Sequence, residues 1–267
     1  MIVSQKTGIN MDLIKYSISD RIAVIKIDRP DKRNALNPQL VYQLTSSFRK
    51  AIADPSVKVI ILKAAGEVFS AGADLDYLKY MQQSTFEENR NDIIALMELF
   101  LLIYESPKLV IAQVEGHAIA GGCGLVTVCD LVFSVPEAKF GYTEVKIGFI
   151  PALVSCFLIR KLGEGRAKEL LLSGDLISAN TAHSYGLINF ILPADKIDAG
   201  VVEYASLRVN TVSANSVSLT KKLLNAAQNL SLEESLELAV NLNVQTRSSE
   251  DCKRGISAFL NKEKLNW

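Results

Sequence analysis

The sequence is poor in the residues that build disulfide frameworks and metal clusters. Its 267 residues include four cysteines, two histidines and one tryptophan, and no C-x-x-C spacing occurs. A structural zinc site needs four ligands in a recognisable spacing, so we expect no metal. The cysteines stand in mostly apolar stretches, which predicts reduced core thiols of a cytoplasmic protein; they are Cys123, Cys129, Cys156 and Cys252.

The chain also lacks an excess of charge and a long apolar run. Its 29 basic and 29 acidic residues cancel, which argues against a general nucleic-acid partner. No apolar run reaches the roughly 20 residues that span a bilayer, and residues 1–17 lack the pattern of a secretory signal. We therefore predict a cytoplasmic location with no nucleic-acid or membrane partner.

Strands and helices alternate over the first 150 residues. The patterns predict a hairpin (14–18 and 22–27), a helix after the N-cap Asn37 (38–53), a strand (57–62), a mobile helical stretch (76–90), a helix (91–104) and strands (109–112, 131–135 and 138–141). Such alternation indicates an α/β fold with crossover connections. Residues 1–200 are predicted to form this core domain.

Helices dominate from Pro151 onward. The patterns predict helices over 152–162, 165–173, 179–185, 213–228, 231–246 and 250–261, with a last strand over 187–192. Ser231 and Glu234 form the capping-box signature that marks a helix start. Residues 201–267 are therefore predicted to form a helical C-terminal region.

A glycine-rich turn follows the strand at Leu109. In LVIAQVEGHAIAGGCGLVTVCD (109–130), four glycines fall between Gly116 and Gly124 and an apolar helix follows. Free N–H groups at such a helix start, from Ala120 to Gly122, would suit an anion or a developing oxyanion. The alternative is a tight turn packed against a neighbouring element. The spacing is not that of a dinucleotide fingerprint.

A second turn of small residues follows another β-rich run. VFSAGADLD (68–76) comes after the strand at Val57. Two such turns could bring two backbone N–H groups to one point, which is how an oxyanion hole is built. FSAGADL together with GHAIAGGCGL resembles the crotonase, or enoyl-CoA hydratase/isomerase, superfamily, from about Ile22 to Trp267.

The resemblance implies both an architecture and a chemistry. We expect the crotonase (ClpP/crotonase-like) fold, a ββα spiral core with a helical C-terminal trimerisation region, assembled as a homotrimer or homohexamer. The substrate would be an acyl-CoA thioester, with no further cofactor. The resemblance implies oxyanion-hole N–H groups at Ala73 and Gly121. In FGYTEVKIGFIP (140–151) it implies an acid/base at Glu144, whose alternative role is that of a surface ion-pair partner.

Coenzyme A needs cations for its phosphates and a surface for adenine. By resemblance, the loop RPDKRNAL provides Lys32, Arg33 and Ala35, and the loop SAGADL provides Ala71, Asp74 and Leu75. Lys253, Lys262 and Lys264 could reach the phosphates held by a neighbouring subunit. Surface lysines and arginines are otherwise only solvating charges.

The sequence departs from ordinary hydratases at Gly124. Those enzymes carry a second glutamate there, and other subfamilies carry an aspartate at the position of Ala152. The remaining candidates to hold a water are Tyr142, Thr143 and Ser155, and ALVSCFL (152–158) places larger apolar side chains beside the acyl site. GGCGL with TEV and IGFIPA resembles methylglutaconyl-CoA hydratases of leucine degradation, which lack the first glutamate.

Three functions therefore stay open. The leading one is hydration of an enoyl-CoA, with methylglutaconyl-CoA as the example. The second is a Δ3,Δ2-enoyl-CoA isomerase that uses Glu144 as its single acid/base. The third is a CoA- or RNA-binding protein, which the balanced charge disfavours.

Overall fold

A computed structural model describes residues 12–267. Residues 1–11 lie outside the described residues, and they include most of the segment (1–17) that was predicted to lack a secretory signal. Numbered along the chain, the strands are β1 (Ile14–Ser19), β2 (Ile22–Ile27), β3 (Val59–Ala64), β4 (Val68–Ser70), β5 (Leu109–Val114), β6 (His117–Ile119), β7 (Leu131–Ser134), β8 (Lys139–Gly141), β9 (Ile177–Ser178) and β10 (Phe190–Ile191). The helices are α1 (Pro38–Ala53), α2 (Leu75–Met81), α3 (Phe86–Tyr104), α4 (Gly121–Thr127), α5 (Ala152–Ser173), α6 (Ala179–Tyr185), α7 (Ile197–Thr211), α8 (Ala214–Ala227), α9 (Leu232–Ser248) and α10 (Glu250–Asn261).

The larger sheet has the strand order β1-β2-β3-β5-β7-β10. β1 and β2 form the predicted antiparallel hairpin, and the following strands add in parallel. β3 and β5 are almost entirely buried, because helices cover both faces of a parallel sheet. α1 packs against β1 and β2 on one side, and α7 packs against β2, β3, β5 and β7.

The smaller sheet has the order β4-β6-β8-β9, and β4, β6 and β8 run parallel. Each of these three strands directly follows a strand of the larger sheet, and a helix follows each of them. Repetition of strand, short strand and helix along the chain is the predicted ββα spiral. The carboxyl ends of β4, β6 and β8 therefore lie side by side at one edge.

Several helix starts agree with the predicted caps. Asn37 accepts a hydrogen bond from Leu40 N–H at the start of α1, and Ser231 with Glu234 closes a capping box on α9. The polar stretch 76–90 is not one helix: α2 ends at Met81, and a capping box of Thr85 and Glu88 starts α3 earlier than predicted. The two helices predicted over 152–173 are the halves of α5, which kinks at Gly163.

The C-terminal third is helical, as predicted. α8 packs against α9, and α9 packs against α10. α7 was absent from the prediction, and the proposed boundary at residue 200 falls inside it, so that boundary stays a prediction. Within residues 12–267 no helix is long and apolar enough to cross a membrane.

Candidate active site

Two turns of small residues meet at the edge of the smaller sheet. β4 pairs in parallel with β6, so the turn after Ser70 and the turn after Ile119 leave the sheet together. A Cβ on Gly72, which has a φ of +86°, would stand 2.8 Å from the Ala120 Cβ and 3.5 Å from the Gly121 N. Only glycine allows this approach. The predicted convergence of the two turns is therefore present.

The first turn leaves one N–H group unused. Leu36 N–H donates to Gly72 O (2.6 Å), and Asp74 N–H donates to Leu36 O (2.8 Å), in a parallel bridge between Leu36 and Ala73. In this pattern the N–H of Ala73 itself points away from Leu36. No atom of the described residues accepts a hydrogen bond from it, and Ala73 is exposed.

The second turn also leaves one backbone N–H group without an acceptor. Gly121 is the first residue of α4, so its N–H has no acceptor within the helix. A Cβ at this position would meet only the Leu36 Cδ1, at 3.2 Å. The positive end of the helix dipole adds to the attraction for negative charge. Ala73 and Gly121 thus each present a free donor on adjacent turns.

Ala120 holds the second turn in a conformation that favours glycine. Its φ is 50° and its ψ is −126°, and its N–H donates to Gly141 O at 2.8 Å. Such backbone strain costs about 1–3 kcal/mol and persists where the surrounding structure fixes it. The expectation that the Ala120 N–H is a free donor is therefore wrong, and the positive φ of Ala120 could not be predicted, because an alanine beside glycines gives no sign of it.

Glu144 lies at the same edge. Ile119 of β6 pairs with Gly141 of the parallel strand β8. Gly121 comes shortly after Ile119 and Glu144 comes shortly after Gly141, so both residues lie just beyond the paired ends of the two strands. Glu144 starts a short 3-10 helix, and its Oε2 is buried without a hydrogen-bond partner within the described chain. Burial raises the pKa of this carboxyl group. A carboxyl group with a raised pKa binds its proton more tightly and can both accept and return it during a reaction.

Comparison with known proteins agrees with this geometry. The sequence profile of the enoyl-CoA hydratase/isomerase family matches residues 17–267. A Thermus thermophilus protein, provisionally named an enoyl-CoA hydratase, is 42% identical over 90% of this chain and 95% of its own. An Escherichia coli 2,3-dehydroadipyl-CoA hydratase is 31% identical over 94% and 97%. The crystal structure of an enoyl-CoA hydratase from Shewanella pealeana superposes with a TM-score of 0.89 at 27% identity, over 96% of each chain.

The chain belongs to the enoyl-CoA hydratase/isomerase family. It has the crotonase fold, and it is an enzyme of that family.

Gly124, where ordinary family members carry a glutamate, has no room for a side chain. A Cβ there would stand 2.5 Å from the Val154 Cγ1 and 2.8 Å from the Phe100 Cζ. The space that a first carboxylate would need is filled by two apolar side chains. Glu144 is therefore the one family carboxylate that the structure retains.

The hydroxyl groups suggested as water ligands are mostly engaged elsewhere. The buried Tyr142 hydroxyl contacts Thr127 Oγ1, which itself donates to Cys123 O (2.8 Å), so the tyrosine proton is directed into the core. Ser155 Oγ donates to Pro151 O within its own helix. Of these three hydroxyl groups, only that of Thr143 makes no hydrogen bond within residues 12–267, so Tyr142 and Ser155 have no free hydroxyl proton to hold a water.

The six residues expected to bind CoA lie in one corner. Ala71 N–H donates to Arg33 O (3.0 Å), and the ion pair of the half-buried Arg29 with the buried Asp74 (2.6 Å) also joins the two loops. Arg29 donates a further hydrogen bond to Ala35 O (2.9 Å) within its own loop. Lys32, Arg33 and Leu75 are exposed, Ala71 is half-buried, and Ala35 is buried. Lys32 lies 3.0 Å from Asp76.

Asp74 is a structural carboxylate in this arrangement. One oxygen accepts from the N–H groups of Asp76 (2.9 Å) and Tyr77 (3.3 Å), and the other faces Arg29. Burial raises the pKa of Asp74, but Arg29 and the two N–H groups outweigh that effect and hold the pKa below its usual value. Only its backbone is left to touch a ligand.

Two further residues build this corner. Asn34 is fully buried, and its amide donates to Ala65 O (2.8 Å) and Val68 O (2.6 Å) while its oxygen accepts from Arg29 N–H (2.9 Å). Arg29 and Asn34 stood in the quoted loop but were not singled out, because a polar residue in a loop gives no sign of burial. Together they fix the position of the turn that carries Ala73.

The expectation of core cysteines is correct for half of them. Cys123 and Cys129 are buried, Cys252 is half-buried and Cys156 is exposed, and all four are free. No cluster of three or more His, Cys, Asp or Glu side chains that could hold a metal ion occurs in the described part of the chain.

Proposed function

We propose that this enzyme adds water to an enoyl-CoA thioester, with Glu144 as the acid/base and the N–H groups of Ala73 and Gly121 as the oxyanion hole. The observation that carries the proposal is the buried, unpartnered Glu144 Oε2 at the edge where two free N–H groups converge. A buried polar atom without a partner marks a place where a ligand supplies one.

The proton balance needs only one carboxylate. Glu144 accepts a proton from the water whose oxygen attacks the β carbon, and the electron pair of the double bond moves onto the thioester oxygen. The two N–H groups stabilise the resulting enolate. The enolate then takes the proton from Glu144 at the α carbon, so water has been added and the carboxylate is restored.

The acyl group that we propose is a branched, acidic enoyl group such as methylglutaconyl. Support comes from the resemblance of GGCGL and TEV to that subfamily and from Val154 and Phe100, which replace the first carboxylate by an apolar wall. The Escherichia coli relative is named for 2,3-dehydroadipyl-CoA, an acyl group that also ends in a carboxylate.

Isomerisation of a Δ3-enoyl-CoA is the second candidate, favoured by one observation. Because Val154 and Phe100 exclude a second carboxylate at Gly124, the site has one acid/base, and moving a double bond requires only that one proton be removed and returned. The same Glu144 would take the proton from the α carbon and return it at the γ carbon.

The purified protein should be assayed with methylglutaconyl-CoA, crotonyl-CoA and a Δ3-enoyl-CoA. Water addition that is fastest with the first substrate supports the proposal, and double-bond migration without hydration supports the isomerase instead. Glu144→Gln should lower turnover by roughly a hundred- to ten-thousand-fold, the range of a general acid/base. Glu137→Gln, at an exposed carboxylate before β8, is the matched control and should keep full activity.

The proposed assembly is a homotrimer or homohexamer. α9 exposes an apolar stripe, and further apolar side chains follow Glu144 in the candidate site; the exposed residues are Leu232, Leu236, Val240, Val244, Ile147, Phe149 and Ile150. Exposed apolar surface of this kind marks an interface or a ligand site. Light scattering during gel filtration would give the mass, and a monomer would contradict the assembly.

The cytoplasmic location and the absence of a cofactor beyond the CoA of the substrate stay predictions. Activity that survives dialysis against a chelator would support the prediction that no further cofactor is needed. Lys253 lies on α10, where it pairs with Glu250 (2.7 Å), and Lys262 directly follows that helix. The proposal that they contact the CoA bound to a neighbouring subunit depends on the assembly.

A further inference from the structure

A cavity of about 280 Å³ lies far from Glu144, where β3 and β5 begin and α8 starts. Most of its wall is apolar, contributed by the end of α1, the sheet, the end of α7 and α8; these residues are Ile52, Val57, Val59, Leu109, Val212 and Val217. The volume is smaller than the roughly 300–1,000 Å³ of pockets for drug-sized ligands, so coenzyme A does not fit.

Three cations line this apolar cavity, and no carboxylate side chain does. They are Lys58, Lys108 and Arg208. None of the three forms an ion pair within residues 12–267. Lys58 is only 8% exposed, and its ammonium group donates to two backbone carbonyls, Val209 O (2.7 Å) and Val212 O (3.0 Å). Because an ammonium group has three N–H bonds, one donor remains.

The side chain of Arg208 makes no hydrogen bond to any of the described residues. Its Nε is buried, and its guanidinium group stacks over the Tyr204 ring at 4.5 Å. A buried donor without an acceptor is destabilising, so a ligand that supplies an acceptor would bind favourably here. Burial, and then the charge of Arg21, lowers the pKa of Lys58 to about 8, although the charge of Asp251 opposes this shift.

The amino end of α8 opens into the same cavity through Ala214 and Asn215. Ser213, the N-cap, accepts from Ser216 N–H (3.0 Å) with its side chain and from Val217 N–H (3.1 Å) with its carbonyl. The N–H groups of Ala214 and Asn215 have no acceptor in the described chain. Free N–H groups at the positive end of a helix bind anions.

We propose that this cavity binds a small organic carboxylate, with the carboxylate between Arg208 and the amino end of α8 and the short hydrocarbon part against Val57 and Leu109. Three cations without an ion pair among the described residues favour an anion over a neutral ligand, and the apolar wall favours a carboxylic acid over inorganic phosphate. Nothing in the proposed thioester chemistry uses this site.

Isovalerate binding to the full-length wild-type protein, measured by calorimetry, tests the proposal. We expect isovalerate to bind better than inorganic phosphate and better than isovaleramide, which has the same shape without the charge. Arg208→Gln should weaken binding about tenfold or more, because charged hydrogen bonds are the strong ones, and Arg208→Lys should retain part of the affinity. Hydration activity should stay unchanged in both variants.

Arg166→Gln is the matched control, since Arg166 also stacks over a tyrosine, at 3.9 Å from the Tyr185 ring, but does not line the cavity. It should bind isovalerate as the wild type does. Equal binding of the amide, tighter binding of phosphate, or unchanged isovalerate affinity in a folded Arg208→Gln protein would each overturn the proposal. So would the absence of isovalerate binding to the wild type.

Discussion

Val154 Cγ1 stands 2.5 Å from the point that a Cβ on Gly124 would occupy, so these two residues together exclude a side chain from the place of the missing carboxylate. Phe100 closes the same space at 2.8 Å, and its ring meets Phe157 edge-on, with centroids 6.1 Å apart. The space beside Gly124 is thus filled by side chains from α3 and α5. Restoring the glutamate alone would not restore the ordinary site.

Gly124→Ala should destabilise the protein by about 1–3 kcal/mol, because the added methyl group overpacks a filled core. Gly165→Ala is the matched control: it also lies in a helix, but a Cβ there would meet nothing within 4 Å. That variant should gain up to about 1 kcal/mol. Urea denaturation measures both, and equal effects at the two positions would show that Val154 and Phe100 yield easily.

Most of the larger sheet could be predicted from the sequence, whereas in the smaller sheet only β8 was predicted and β4, β6 and β9 were not. β2, β3 and β5 are six-residue strands whose alternating or continuous apolar pattern is readable. β4 and β6 have three residues each, which is too short to show a period, and their pairing is set by the strands that precede them. α7 was missed because Lys196, at its N-cap, provides no side-chain hydrogen bond.

The residues of the candidate site likewise include some that could be predicted from the sequence and some that could not. Ala73, Gly121 and Glu144 were named from the resemblance to family motifs, and the two turns of small residues also had a chemical reason, since two such turns can build an oxyanion hole. Arg29 and Asn34 were missed, since their role depends on long-range contacts such as the hydrogen bond from Asn34 to Ala65 O. Such contacts cannot be deduced from local sequence.

Glu144→Gln should make the enzyme more stable at neutral pH. Burial raises the pKa of Glu144 above its usual 4.5, so the folded state holds this proton more tightly than the unfolded state. Wild-type stability is therefore lost as the pH rises from below 4.5 through the raised pKa. Glutamine has no proton to lose, so the variant should melt higher at about pH 8 and at nearly the same temperature as the wild type at about pH 4.

Thermal melts across this range check the Glu144 prediction, with Glu137→Gln as the exposed control that should follow the wild type. A Glu144→Gln protein that melts lower than the wild type at about pH 8 would show that the carboxylate has a stabilising partner.

Gly121→Val should abolish turnover while the protein stays folded. The Cβ would press on the flexible end of Leu36 at 3.2 Å, which can give way, but the additional methyl groups would stand before the Gly121 N–H. Loss of one oxyanion donor costs about a hundred- to a thousand-fold in kcat. Gly121→Ala should be affected far less. Near-normal kcat in the valine variant would place the oxyanion hole elsewhere.

Replacing Lys32 and Arg33 together by glutamine should raise KM and leave kcat nearly unchanged. Both side chains are exposed, and Lys32 loses only a surface ion pair with Asp76, so the fold should be little affected. If they bind the phosphates of CoA, they stabilise ground state and transition state alike, and removing such uniform binding raises KM alone. The increase should shrink at high salt, because surface charges are screened.

Lys168→Gln is the matched control for the lysine, since Lys168 also forms an exposed pair, with Glu164, on a helix away from the site. Its KM should equal that of the wild type. The comparison with Arg29→Gln separates binding from architecture: Arg29 is half-buried and pairs with the buried Asp74, so its loss should lower kcat and stability as the turn of Ala73 shifts. An unchanged KM in the Lys32 and Arg33 double variant would remove both residues from the CoA site and leave the Arg29–Asp74 corner as a purely structural support.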